Sequence, residues 1–293
     1  MAEPAQPHTG TRPDPTAVYA LGSSSGESDR LRRQAEELAA DSAALLNRVA
    51  PRPGQSAIDL GCGPRGILDL LADRLSPGGR VVGLDADPAH TAMAAEFAAG
   101  CGLNGVEIMT ADASHTGLPS GSFDLVHART LLVNVPEPAE VVAEMARLAK
   151  PGGWVAGLEP DVEQAWCYPP HPAFTRICEI FPVVFGRNGA DVTIGRRVPE
   201  LFRRVGLQVA GVEARVQMYP QATPAGRSGS TWCAARGHMC WTWASPARRN
   251  LMSWTLPPAP TLMTPARSRC PACSFSSGRA SRPLRPSRWP GDG

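Results

Sequence analysis

Apolar positions recur along this chain with two alternating periods, and that alternation is its first structural signal. Over residues 26–48, Leu31, Ala35, Leu38, Ala39, Leu45 and Leu46 repeat at helical spacing among charged neighbours, predicting one helix that ends at Pro51 and Pro53. A short apolar run then occupies 56–60, followed by Gly61-Cys-Gly-Pro-Arg-Gly66 and a helical pattern carrying Ile67, Leu68, Leu71 and Leu75. Further strands are predicted at 80–84, 106–109, 123–126 and 154–158, with helices over 88–100 and 136–149 between them. Strands and helices alternating at this spacing predict an α/β chain with a Rossmann-like, doubly wound, mostly parallel sheet. The segment 26–48 adds an N-terminal cap helix. Residues 162–200 predict a helical insertion after the fifth strand, and Leu207 to Val216 a sixth strand.

Charge divides the chain in two. From Ala225 to Gly293 there are ten arginines and one acid, Asp292, which leaves 19 basic and 26 acidic residues in 1–224. Five of the seven tryptophans and nine prolines also fall beyond 225, with neither helical nor strand periodicity. The expected organisation is a disordered leader over 1–17, a folded domain over 18–224 and a low-order basic tail over 225–293. Arginine, proline, serine, cysteine and tryptophan in this mixture are what off-frame translation of a GC-rich gene produces. Shifted to the third base of each codon, Trp241-Thr242, Trp254-Thr255 and Met263-Thr264 each yield aspartate. A frame lost near residue 226 implies that the sheet's last strand is missing and that the chain is a cofactor-binding remnant.

Three classes of partner recede on composition. No stretch approaches the ~20 apolar residues that cross a bilayer, so a cytoplasmic protein without a membrane partner is expected. The folded portion is acidic, which disfavours a nucleic-acid backbone. Cys270 and Cys273 form the single CxxC pair without a later histidine, so no metal site is expected.

The chemistry gathers at the ends of the predicted strands. Gly61, Gly63 and Gly66 allow a tight turn whose backbone amides approach a ligand closely, a pattern that dinucleotide enzymes share. NAD(P)-dependent oxidoreduction is therefore the enzymatic alternative. Asp59, inside the strand before the glycines, can orient a ligand ammonium, whereas beside pyrophosphate it would repel. Asp85, followed by Ala86, ends the second strand where a carboxylate accepts ribose hydroxyls. Asp112, followed by Ala113, suits an exocyclic adenine amine. Together these favour S-adenosylmethionine (SAM) as cofactor.

The ordered series Ala57-Ile-Asp-Leu-Gly-Cys-Gly63, Val82-Gly-Leu-Asp85, Ala111-Asp-Ala113, Phe123-Asp-Leu-Val126 and Leu148-Ala-Lys-Pro-Gly-Gly153 resembles class I SAM-dependent methyltransferases over about residues 18–216. Within them it looks most like the small-molecule branch that includes ubiquinone- and menaquinone-biosynthesis enzymes. Arg65 departs from that pattern, which has a small residue there. The resemblance implies a methyl group moved from SAM to a small-molecule acceptor at O, C or N. It also implies a segment folding over the cofactor, which makes Tyr19 and Gln34 candidate contacts alongside Gly61, Cys62 and Gly63. His127 is the candidate catalytic base, and Arg129, two residues on, is a candidate for a carboxylate or for steadying the cofactor. Glu159 and Asp161 end the fifth strand on the same rim and read equally as exposed loop acids. His115 reads as a surface residue.

Overall fold

The computed structural model describes residues 25–168, 170–187, 189–216 and 238–246. All of them fall in one compact unit, Met1–Trp254. The cap region is α1 (Ser25–Glu37) and α2 (Ala39–Val49), two helices meeting at Leu38 where one was expected. Backbone hydrogen bonds run through the junction, Leu38 N–H to Gln34 and Ser42 N–H to Leu38. Ala50 closes α2 in the left-handed conformation, φ 46°, ahead of Pro51.

The alternation then unfolds as β1 (Ser56–Leu60), α3 (Leu68–Leu75), β2 (Arg80–Asp85), α4 (Pro88–Gly100), β3 (Val106–Thr110), β4 (Phe123–Arg129), α5 (Pro138–Leu148) and β5 (Ala149–Asp161). Helix α4 starts where Asp87 accepts the Ala89 N–H and Pro88 supplies the first helical φ. Strand β5 is followed by α6 (Pro172–Gly186), α7 (Val198–Arg204), β6 (Leu207–Val216) and β7 (His238–Pro246). The seven strands form one sheet in the order β3-β2-β1-β4-β5-β7-β6. Its first five strands run parallel, and β7 lies antiparallel between β5 and β6.

Strand β7 corrects the expectation of a missing last strand. Met-Cys-Trp-Thr-Trp-Ala carries residues that favour a pleated surface, and it lies in the slot between β5 and β6, whose facing edges pair with it. Cys270, Cys273 and the proposed leader lie outside the described residues.

Strand alternation builds two cores. Ile58, Leu60, Val126 and Ala128 face one side with α5 and α7, through Val142, Met145 and Phe202. Ala57 and Leu125 face the other, beneath Leu45, Leu46, Leu68 and Leu71 of α2 and α3. That parity also sends Asp59, His127 and Arg129 to the α2–α3 side, so three polar side chains enter an apolar layer. On the α5 side, Glu144 accepts the Thr116 N–H and hydroxyl and both arms of Arg147, which pins the 115–118 loop to the helix. Arg147 beside it, with the Thr116 donors, holds that carboxyl down to about 2.

Candidate functional site

The site forms where β1 turns into α3. Gly61 and Gly63 sit at φ 65° and 56° and Gly66 at φ 56°, a backbone region L side chains rarely adopt. A Cβ at Gly66 would stand 2.2 Å from Asp59 Oδ2, so close approach dictates that glycine as firmly as φ does. At Gly63 nothing lies within 4 Å of that position.

A cleft of about 40 Å³ opens over this loop. Its lining includes Leu31, Gln34 and Ala35 of α1, Asp59, the glycine loop with Cys62, Arg129 at the end of β4 and Thr130 just after it. Sequence-predicted residues Gln34, Asp59, Gly61, Cys62, Gly63 and Arg129 therefore meet at one place. Asp85 stands next to it, at the end of β2, accepting Gly63 N–H at 2.8 Å and Asp87 N–H at 3.0 Å. Ala86 is exposed beyond it. Asp112 is exposed past β3, its Oδ1 accepting the Ser114 N–H and hydroxyl, and Ala113 is buried. All share the carboxyl edge, in the sheet order β3, β2, β1, β4. Tyr19 lies outside the described residues.

Two acids differ from the exposed reading. Glu159 is fully buried and accepts the Leu131 and Leu132 N–H groups at 3.0 Å and that of Val133 at 3.2 Å. Burial pushes its carboxyl up to about 7 even against those three donors. Asp161 is buried and held by both arms of Arg196. His115 is exposed, as expected.

His127 is fully buried, does not line the cleft, and places Nδ1 2.7 Å from Asp59 Oδ1. Arg129 is almost as buried, with Nη1 donating to Ser42 Oγ and Nη2 to the Gly66 carbonyl. Cys62 is a free, buried thiol that burial and the nearby Asp59 and Asp85 push well above its usual range, which makes it inert lining.

Several members left no sequence signal. Ser42 meets Arg129 across 87 residues, and Thr130 holds φ 51° with no glycine to announce it. His90 lies beside Asp85 with Nδ1 3.4 Å from Oδ1, and that carboxylate raises the ring's affinity for a proton. Among the described residues no cluster of histidine, cysteine and acids has metal-ligating geometry.

The residues present suit a zwitterionic amino-acid end joined to a nucleoside. Asp59 and Arg129 offer opposite charges at one cleft, and Asp85 and Asp112 follow along the strand ends. The cleft lies at the loop, and Asp85 and Asp112 continue along the same edge, where the nucleoside would extend.

Residues 58–157 match a family described as a methyltransferase domain. Nocamycin O-methyltransferase of Saccharothrix syringae is 44% identical over 110 residues, 37% of this chain and 39% of that protein. Demethylmenaquinone methyltransferase of Bacillus cytotoxicus is 37% identical over 108 residues, 37% of this chain and 46% of that one. The chain thus spans less than half the length of these relatives. A geranyl diphosphate methyltransferase solved with GPP and sinefungin aligns at TM-score 0.56 and 16% identity, over 71% of this chain and 78% of that one, and shows a common fold.

Proposed function

We propose, on the premise that residues 58–157 form a class I methyltransferase domain with SAM as its cofactor, that this protein methylates a small-molecule acceptor. The observation that carries the reading is the meeting of Asp59, the glycine loop and Arg129 in one cleft, with Asp85 tied to the loop through Gly63. Asp59 would give the cofactor's ammonium a negative floor, Arg129 would face its carboxylate, Gln34 would add an amide from α1, and Asp85 would accept the ribose hydroxyls. Asp112 and Ala113 border the adenine. SAM itself brings an activated methyl on a sulfonium, so the protein's share is alignment and exclusion of water. When bound, SAM would supply the methyl group to the acceptor's O, C or N and leave as S-adenosylhomocysteine, with an acceptor proton going to solvent or a side chain.

The acceptor is taken to be small and partly apolar. Support comes from the apolar insertion, where Phe181 stacks on Phe185 at 4.2 Å and Trp166, Ile180 and Val183 are exposed. Both curated relatives carry names of small-molecule methyltransferases, in keeping with this. A cytoplasmic location accords with the unbridged thiols of Cys62 and Cys178, and no helix among the described residues is long and apolar enough to cross a membrane.

We read the domain limits as a leader over 1–17, a methyltransferase domain over 18–224 and a basic tail from 225, with β7 of the compact unit falling inside that tail. The composition break at 225 is the ground for reading a frame lost upstream of β7. Sequencing the transcript and weighing the intact protein tests this; an uninterrupted frame with the matching mass refutes it. For the cofactor, titration with SAM and with NAD(P)H separates methyl transfer from oxidoreduction, and binding of the nicotinamide alone would overturn the reading.

A further inference from the structure

Beneath the glycine loop lies a buried pair that cofactor contact alone does not explain. Asp59 on β1 and His127 on β4 are direct neighbours across the parallel ladder, and both side chains face the layer under α2 and α3. The two are 2% and 0% exposed, and Nδ1 meets Oδ1 at 2.7 Å. The other carboxylate oxygen accepts the Ile67 N–H at 2.9 Å, at the entrance of α3. Arg129, two residues along β4, holds the adjacent Gly66 carbonyl at 3.1 Å. The last turn of the loop is therefore gripped from below at one donor and one acceptor, both from strand side chains.

We infer that His127 is a positioning residue: by donating Nδ1–H to Asp59 it fixes the carboxylate that shapes the glycine loop for SAM. Without that donor, the Asp59 carboxylate is held in an apolar layer by the Ile67 N–H alone, at one of its two oxygens. Nε2 points the same way. It is buried and without a hydrogen-bond partner among the described residues, so a proton there would be stranded while a lone pair is merely unused. The ring thus has one working atom, aimed at Asp59, and no path for a proton to an acceptor. The inference rests on SAM being the ligand only for its effect, since the hydrogen bond itself is a property of the free protein.

Two measurements test it. Calorimetry with S-adenosylhomocysteine is run on the full chain, on His127→Asn, whose amide can replace Nδ1–H, and on His127→Leu, each checked by thermal melting. Asparagine is expected to keep affinity within about threefold, and leucine to weaken it about tenfold for one lost buried hydrogen bond. Leucine binding like the wild type, or losing turnover alone, overturns the inference. Nitrogen-15 histidine NMR on the wild-type protein needs no variant. The exchange-protected ring should carry its proton on Nδ1; a proton on Nε2 instead overturns the inference even if variants fail to fold. Loss of S-adenosylhomocysteine binding by the wild type would count against the cofactor reading and leave the NMR result standing.

Discussion

At the scale of single residues the site is built from side chains that carry strain or charge into an apolar layer. Gly66 and Gly63 share a φ of 56°, yet their surroundings separate them. Gly63→Ala meets no atom within 4 Å and should cost only the left-handed conformation, about 1 kcal/mol. Gly66→Ala drives a methyl into Asp59 and should unfold the loop, with several kcal/mol lost in urea titration and no SAM binding. Equal stability of the two variants would contradict the geometry. Glu159 sets a pH dependence whose sign is definite. Its folded carboxyl, at about 7, lies above the ordinary 4.5, so the folded chain holds a proton the unfolded chain releases. That contribution is complete below pH 4.5 and fades as pH rises through 7, on the order of 3 kcal/mol. Urea midpoints at pH 5.5 and 8 should fall with pH in the wild type and move less in Glu159→Gln. An equal slope in both would contradict it.

At the scale of elements, the alternation of apolar runs with glycine and proline stops made the parallel half of the sheet legible from β1 to β5. Strand periodicity needs no knowledge of partners, and helix caps such as Asp87-Pro88 are local. What was not legible is whatever depends on distant partners. The break between α1 and α2 at Leu38 has no proline or glycine to mark it, and the extension of β4 to Arg129 follows from pairing with β1 and β5. Strand β7 is the largest such case, since a segment with a tail's composition pairs in the sheet between two open edges. Thr242 pairs with Gly157 on one side and Val212 on the other. Thr242→Pro removes a ladder donor from a central strand and should lower Tm by about 5 °C or more. An unchanged Tm would show that the sheet does not depend on 238–246.

At the scale of the whole molecule, the fold sets a row of acids and one arginine along the carboxyl edge. Their order in space, Asp112, Asp85, Asp59, Arg129, follows the order of the strands β3, β2, β1, β4. The motif positions were readable because each sits at a strand end. Roles were less so: His127 has the residue type of a base but lies fully buried, and Glu159 caps a turn instead of facing solvent. A shared fold alone does not assign chemistry, so the charge pattern must. Isothermal titration of the full chain with SAM, alongside NAD(H) and NADP(H), is the most direct test. Saturable one-to-one binding of SAM, weakened by Asp85→Ala and absent for the nicotinamides, is the predicted result. Nicotinamide binding with no heat from SAM would contradict it.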